Sequence, residues 1–86
     1  MPSAHQRRPL HQIASDVRRA WVKKDGTAAV YFGAEPYLKA MESLVSVDDY
    51  YGDDPGASIV VYFLANAKNF RGPVARAIKL ELKEMT

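Results

Sequence analysis

No cysteine occurs in this 86-residue sequence, which excludes disulfides and thiolate metal sites and fits a reducing cytoplasm. There is also no apolar stretch near the roughly 18 residues needed to cross a bilayer; the longest apolar run is residues 59–65. The opening MPSAHQRRP is basic, but no apolar core of signal-peptide type follows it. The expectation is a cytoplasmic protein with no membrane partner.

Histidine is scarce as well. His5 and His11 have no carboxylate at metal-site spacing, and zinc usually takes three or four ligands. The acidic stretch DDYYGDD has the composition of a calcium loop, but it lacks the alternating acids and the closing glutamate. No glycine-rich phosphate loop and no nucleophile elbow is present, and Ser15, Ser43, Ser46 and Ser58 stand without a local His/Asp pattern. A chain this short has little material for a substrate pocket. The expectation is a non-enzymatic protein with no cofactor, no metal and no small-molecule substrate.

What the chain does have is segregated charge. Net charge is only +2, yet residues 1–40 carry seven Lys/Arg against three acids. Residues 41–56 carry five acids (Glu42, Asp48, Asp49, Asp53, Asp54) and no base, and residues 57–86 carry five bases and two acids. The order is basic, acidic, basic.

Hydrophobic periodicity predicts an all-α fold, a compact bundle of about four helices. Residues 1–8 read as a flexible basic arm and residues 9–86 as a single helical domain. Leu10, Ile13, Ala14, Val17, Ala20 and Trp21 place one helix over about 9–23, closed by KKDG. Residues 27–33, TAAVYFG, fit either a short strand or an extended connector. Ala34, Tyr37, Leu38, Met41, Leu44 and Val45 predict a second helix over about 35–46.

Residues 59–65 are β-branched and aromatic, and read locally as a strand. A helix over about 55–68 explains more. Asp54 would cap it and Pro55 would occupy its first turn. Ile59, Val60, Phe63, Leu64 and Ala67 would then share a face, in a helix apolar on most sides and central. A last helix starts at Pro73, with Val74, Ala75, Ala77, Ile78, Leu82 and Met85 inward and Arg76, Lys79 and Lys83 outward. Trp21, Tyr31, Phe32, Tyr37, Tyr62, Phe63 and Phe70 are expected mostly in the core.

Two surfaces are candidates for binding. Tyr50 and Tyr51 sit among Asp48, Asp49 and Asp53 in a polar loop, where tyrosines either cover a helix junction or anchor a protein partner. The alternative is DNA. LANAKNFRGPVARAIKLEL resembles the last two helices of a helix-turn-helix, with Ala65 near the turn, Val74 and Ile78 as anchors, and Arg71, Arg76, Lys79 and Lys83 facing the nucleic acid. Against this, the turn lacks the usual glycine and Pro73 removes an N–H that often holds a phosphate.

The blocks PLHQIASDVRRAW, VYFGAEPYLKAM, YGDDPGASIVVYFLANAKNFRG and ARAIKLELKEM resemble a family of small proteins of actinobacteriophages, mycobacteriophages especially, over nearly everything after residue 8. That family carries no assigned activity, so the resemblance assigns no functional residue. The sequence departs from the family at VKKDGTAA, where the family's connection is shorter. The resemblance implies a phage product working inside a bacterial host cell by binding. The function expected is protein–protein binding, to a host factor or to further copies of the same chain; the alternative is a helix-turn-helix-like DNA-binding protein using its last helix.

Overall fold

The computed structural model of the chain describes residues 8–86. Four helices form, α1 (Leu10–Ala20), α2 (Glu35–Met41), α3 (Gly56–Ala65) and α4 (Pro73–Glu84). Between α2 and α3 lies a small antiparallel hairpin, β1 (Tyr50–Tyr51) and β2 (Asp54–Pro55). The helical expectation therefore holds for all four helices, and the hairpin corrects the purely all-α expectation. The stretch 59–65 is helical: all of it lies within α3. The expected arm falls on residues outside the described ones, save Arg8, which is tied down by ion pairs.

The helices meet in a ring, each packed on the next and α4 on α1. The stripes that sequence periodicity marks supply the core. Leu10, Ile13, Ala14 and Val17 come from α1, Leu38 and Met41 from α2, Ile59, Val60 and Phe63 from α3, and Ala75, Ile78 and Leu82 from α4. Among the described residues no polar or charged residue is buried. Trp21, just past α1, crosses the ring. It meets Phe63 edge-on at 6.3 Å and stacks on Phe70 at 5.0 Å, both favoured aromatic geometries.

The stripes are narrower than the sequence implies. Val74 and Ala77, expected inward, are exposed on α4, and Val61 and Tyr62 are about half exposed on α3, so α3, apolar on most sides, is not central but has an outer face. Phe32, Tyr31 and Tyr62 are surface aromatics, and Tyr37 is half-buried. A ring of four short helices encloses one inner stripe from each helix, and the remaining apolar residues stay outside.

Three boundaries also move. Trp21 caps the C-terminus of α1, because the chain then folds back in a turn whose Val22 and Ala28 form a single antiparallel bridge. Residues 27–33 are thus a connector, with the Asp25 carboxylate accepting from the Thr27 N–H and hydroxyl. Helix α2 stops at Met41 rather than near residue 46, and Pro9 and Pro55 stand just before their helices instead of inside them.

Two arginines clasp neighbouring helices to α1. Arg8 pairs with Asp16 and makes a two-pronged contact with Glu81 of α4, at 3.0 and 2.7 Å. Arg18 bonds Glu35 at 3.1 and 2.7 Å and Glu42 at 2.5 Å, joining α1 to both ends of α2. The Arg8 guanidinium holds the Asp16 carboxyl below the usual carboxylate range, and Arg18 does the same to Glu35. These groups are partly exposed, so each pair contributes no more than about 1 kcal/mol.

The core thus rests on a few large side chains. Phe63→Ala is expected to cost about 3–5 kcal/mol, because it empties a fully buried site and removes the edge-on partner of Trp21. Urea unfolding measures this; a loss below about 1 kcal/mol, the range of ordinary surface changes, would contradict the packing described.

Candidate functional site

The acidic stretch is built from the residues that follow α2. Beyond Met41 the chain turns, and its backbone carbonyls are put to use. Val45 O and Leu44 O accept from the N–H groups of Leu10 and His11, each at 2.9 Å, at the start of α1. Asp49 O accepts from Gly56 N–H at 2.7 Å and Val47 O from Ala57 N–H at 2.9 Å, at the start of α3. One loop therefore caps two helices, filling donors that a helix leaves without partners. This replaces the expected Asp54 cap. Asp54 lies in β2 opposite Tyr51, and no side chain caps α3.

Gly56 is the contact point. A β-carbon there would lie 2.8 Å from Ser46 O and 3.0 Å from Val47 Cα, both backbone atoms that cannot swing aside. Asp49 holds the loop in shape. Its carboxylate accepts from the N–H groups of Val45 and Ser46, both at 3.0 Å, while its own N–H bonds Ser46 O at 3.0 Å.

From this base the hairpin projects. Gly52 and Asp53 form its tip, and Gly52 has φ +64°, the conformation a tight hairpin asks of its first turn residue. Tyr50 and Tyr51 are 66% and 43% exposed. Adjacent residues on a strand point to opposite faces, so the two rings flank the ribbon. Asp48 and Asp53 are exposed, as is Asp54. Of the five residues singled out for protein binding, Tyr50, Tyr51, Asp48 and Asp53 are together on the surface, and Asp49 is occupied inside the loop.

The hairpin runs directly into α3, a helix whose sequence GASIVVYFLA contains no charged residue. Its outer face presents Val61 at 49% exposure and Tyr62 at 51%, with Tyr62 stacked obliquely on Tyr37 at 5.5 Å. This face is not legible in the sequence, where a helix apolar on most sides reads as central. The available signal was that a four-helix chain of this size cannot surround any one helix.

The alternative nucleic-acid residues take a different arrangement. Arg71, Arg76 and Lys83 are exposed and Lys79 is half-buried, its ammonium 5.9 Å from the centre of the Phe70 ring. Burial lowers the Lys79 pKa, and the nearby Lys83 and Arg71 charges lower it further, so these cations are neighbours. The connector between α3 and α4 is residues 66–72, longer than the roughly 3–4-residue turn of a helix-turn-helix. Arg71, Lys79 and Lys83 cluster, but they do so without that motif's turn.

No protein-family model matches the chain, and neither a curated protein nor a solved structure shows significant similarity to it.

Asp49 and Asp53 separate structural from surface carboxylates. Asp49→Ala leaves two backbone donors without their acceptor and is expected to lose about 1–3 kcal/mol. Asp53→Ala, at the exposed tip, is expected to stay within about 0.5 kcal/mol of the parent. Thermal and urea unfolding of both variants checks the contrast; equal losses would overturn the assignment of Asp49 to the loop.

Proposed function

We propose that this chain is a non-enzymatic protein-binding module whose docking surface is the β1–β2 hairpin together with the outer face of α3. One observation carries the reading. A helix without a single charged side chain exposes Val61 and Tyr62, and the hairpin that leads into it exposes Tyr50 and Tyr51. Tyrosine is a preferred anchor at protein interfaces, and contiguous apolar patches on small proteins mark such surfaces.

Electrostatics sets the partner's character. Asp48, Asp53 and Asp54 are exposed and have no ion-pair partner among the described residues. Their field favours a partner with an apolar strip bordered by positive charge. The hairpin is held at its base by Asp49 and joins α3 without a linker, so little entropy is lost when it docks. The resemblance to actinobacteriophage proteins supports a host protein as that partner; a second copy of the chain is the other candidate.

Tyr50→Ala and Val61→Glu, made separately, test this. Sedimentation of the isolated protein over a wide concentration range reports self-association. A partner captured from nuclease-treated host lysate is purified and its affinity remeasured with each variant. Both variants are expected to weaken binding at least tenfold, about 1.4 kcal/mol, with folding stability within about 0.5 kcal/mol of the parent. Loss of stability in both, with undiminished binding by the folded molecules, would assign these side chains to the fold and end the proposal.

A further inference from the structure

The hairpin and α3 leave one conspicuous surface unused. Phe32 is 81% exposed, the most exposed large apolar side chain among the described residues, and its ring lies 4.9 Å from that of Tyr31. Tyr31 is not adrift. Its ring packs over Gly33 so closely that a β-carbon at Gly33 would lie 2.5 Å from it and 2.9 Å from the Asn66 side-chain oxygen. Tyr31 thereby forms one wall of an open cleft of about 360 Å³, whose other walls are Ala65, Asn66, Lys68 and Asn69. An aromatic pair, two amides and a lysine share one surface.

That surface continues into positive charge. Arg71 donates from Nε to Lys68 O at 3.3 Å, and its charge acts on Lys79, which also feels Lys83. The contrast with the other side of the molecule is instructive. Arg8, Arg18 and Arg19 each meet a carboxylate, whereas Lys68, Arg71, Lys79 and Lys83 meet none among the described residues. Of the two acids on α4, Glu81 is taken by Arg8 on the opposite flank, which leaves the exposed Glu84 beside Lys83 as the one acid of this helix without a partner among the described residues. Only Lys79, set over the Phe70 ring, has an evident packing role here; Lys68, Arg71 and Lys83 are exposed cations without a carboxylate partner among the described residues, and the Phe32 ring is left in water.

We propose that this face binds single-stranded nucleic acid, with a base stacked on Phe32 and Tyr31 and the backbone phosphates following Lys68, Arg71, Lys79 and Lys83. Exposed aromatic faces beside a cationic track are the two elements of sequence-tolerant single-strand binding. Asn66 and Asn69 supply donors and acceptors for base edges within the cleft. A duplex offers phosphates but hides its base faces, so the aromatic pair discriminates between the two forms. This site is separate from the hairpin surface, and the two proposals stand or fall independently.

The test is fluorescence anisotropy of the full chain with an oligothymidylate of about 15 nucleotides and with a duplex of the same length. The single strand is expected to bind more tightly, with affinity falling steeply between about 50 and 200 mM salt. Phe32→Ala is expected to weaken single-strand binding about tenfold, with an unchanged melting temperature and salt slope, and Phe32→Tyr to restore it. Arg71→Ala with Lys83→Ala, both at exposed positions, is expected to reduce the log–log salt slope by about 1.4. Three results would overturn the proposal: no binding at low salt, equal affinity for the duplex with Phe32→Ala neutral, or displacement by polyglutamate as effective as by the oligonucleotide. The second and the third each identify a general polyanion surface rather than a single-strand site.

Discussion

The N-termini of α1 and α3 both need hydrogen-bond acceptors, and one loop provides them. A helix begins with N–H groups that its own carbonyls cannot reach. Here the first two donors of α1 and the first two of α3 are filled by the carbonyls of Leu44, Val45, Val47 and Asp49. Leu10 and Gly56 are buried, so leaving such donors unmet would cost about 1–3 kcal/mol each. That is more than the few tenths of a kcal/mol per residue by which helix propensity distinguishes ordinary residues. Helix α2 therefore ends at Met41, although apolar side chains at helical spacing continue to Val45. Leu44 still reaches the core, but Val45 is turned outward.

The surface follows from the same constraint. Once the loop is committed to both helix starts, the intervening residues can only project, and they do so as the β1–β2 hairpin. Gly56 allows the close approach and Asp49 holds the loop, which leaves Asp48, Asp53 and Asp54 outside. Elsewhere the fold uses its charges in pairs around α1, where Arg8 and Arg18 join α4 and α2. The groups left unsatisfied form three surfaces: an acidic hairpin, an uncharged helix face and a cationic face with exposed aromatics. Binding roles are assigned to these because packing and pairing do not explain them.

Much of this was legible in the sequence. Periodicity located all four helices, Pro73 marked the start of α4, and composition separated DDYYGDD from the helices around it, though as a loop and not as the β1–β2 hairpin it forms. The helix reading of residues 59–65 prevailed over their local strand preference because a helix offers this apolar run a face on the core. The misreadings share a cause. Asp54–Pro55 has the local form of a capped helix start, but the acceptors come from residues seven and ten positions earlier than Gly56 and Ala57 respectively. Val61, Tyr62 and Phe32 look like core residues by type, and only the finite width of a four-helix ring leaves them outside. Asp49 is indistinguishable by composition from Asp48, yet one carboxylate is structural while the other is exposed and has no partner among the described residues. Non-local backbone hydrogen bonding was the missing information in each boundary error.

Native-state hydrogen exchange resolved by residue tests the shared cap most directly. The account predicts that the amides of Leu10, His11, Gly56 and Ala57 are protected and open together, with one common free energy and one common dependence on denaturant. Helix starts normally fray independently and exchange fast. Rapid exchange at Leu10 and His11 with slow exchange at Gly56 and Ala57, or the reverse, would show that the loop does not join the two helices.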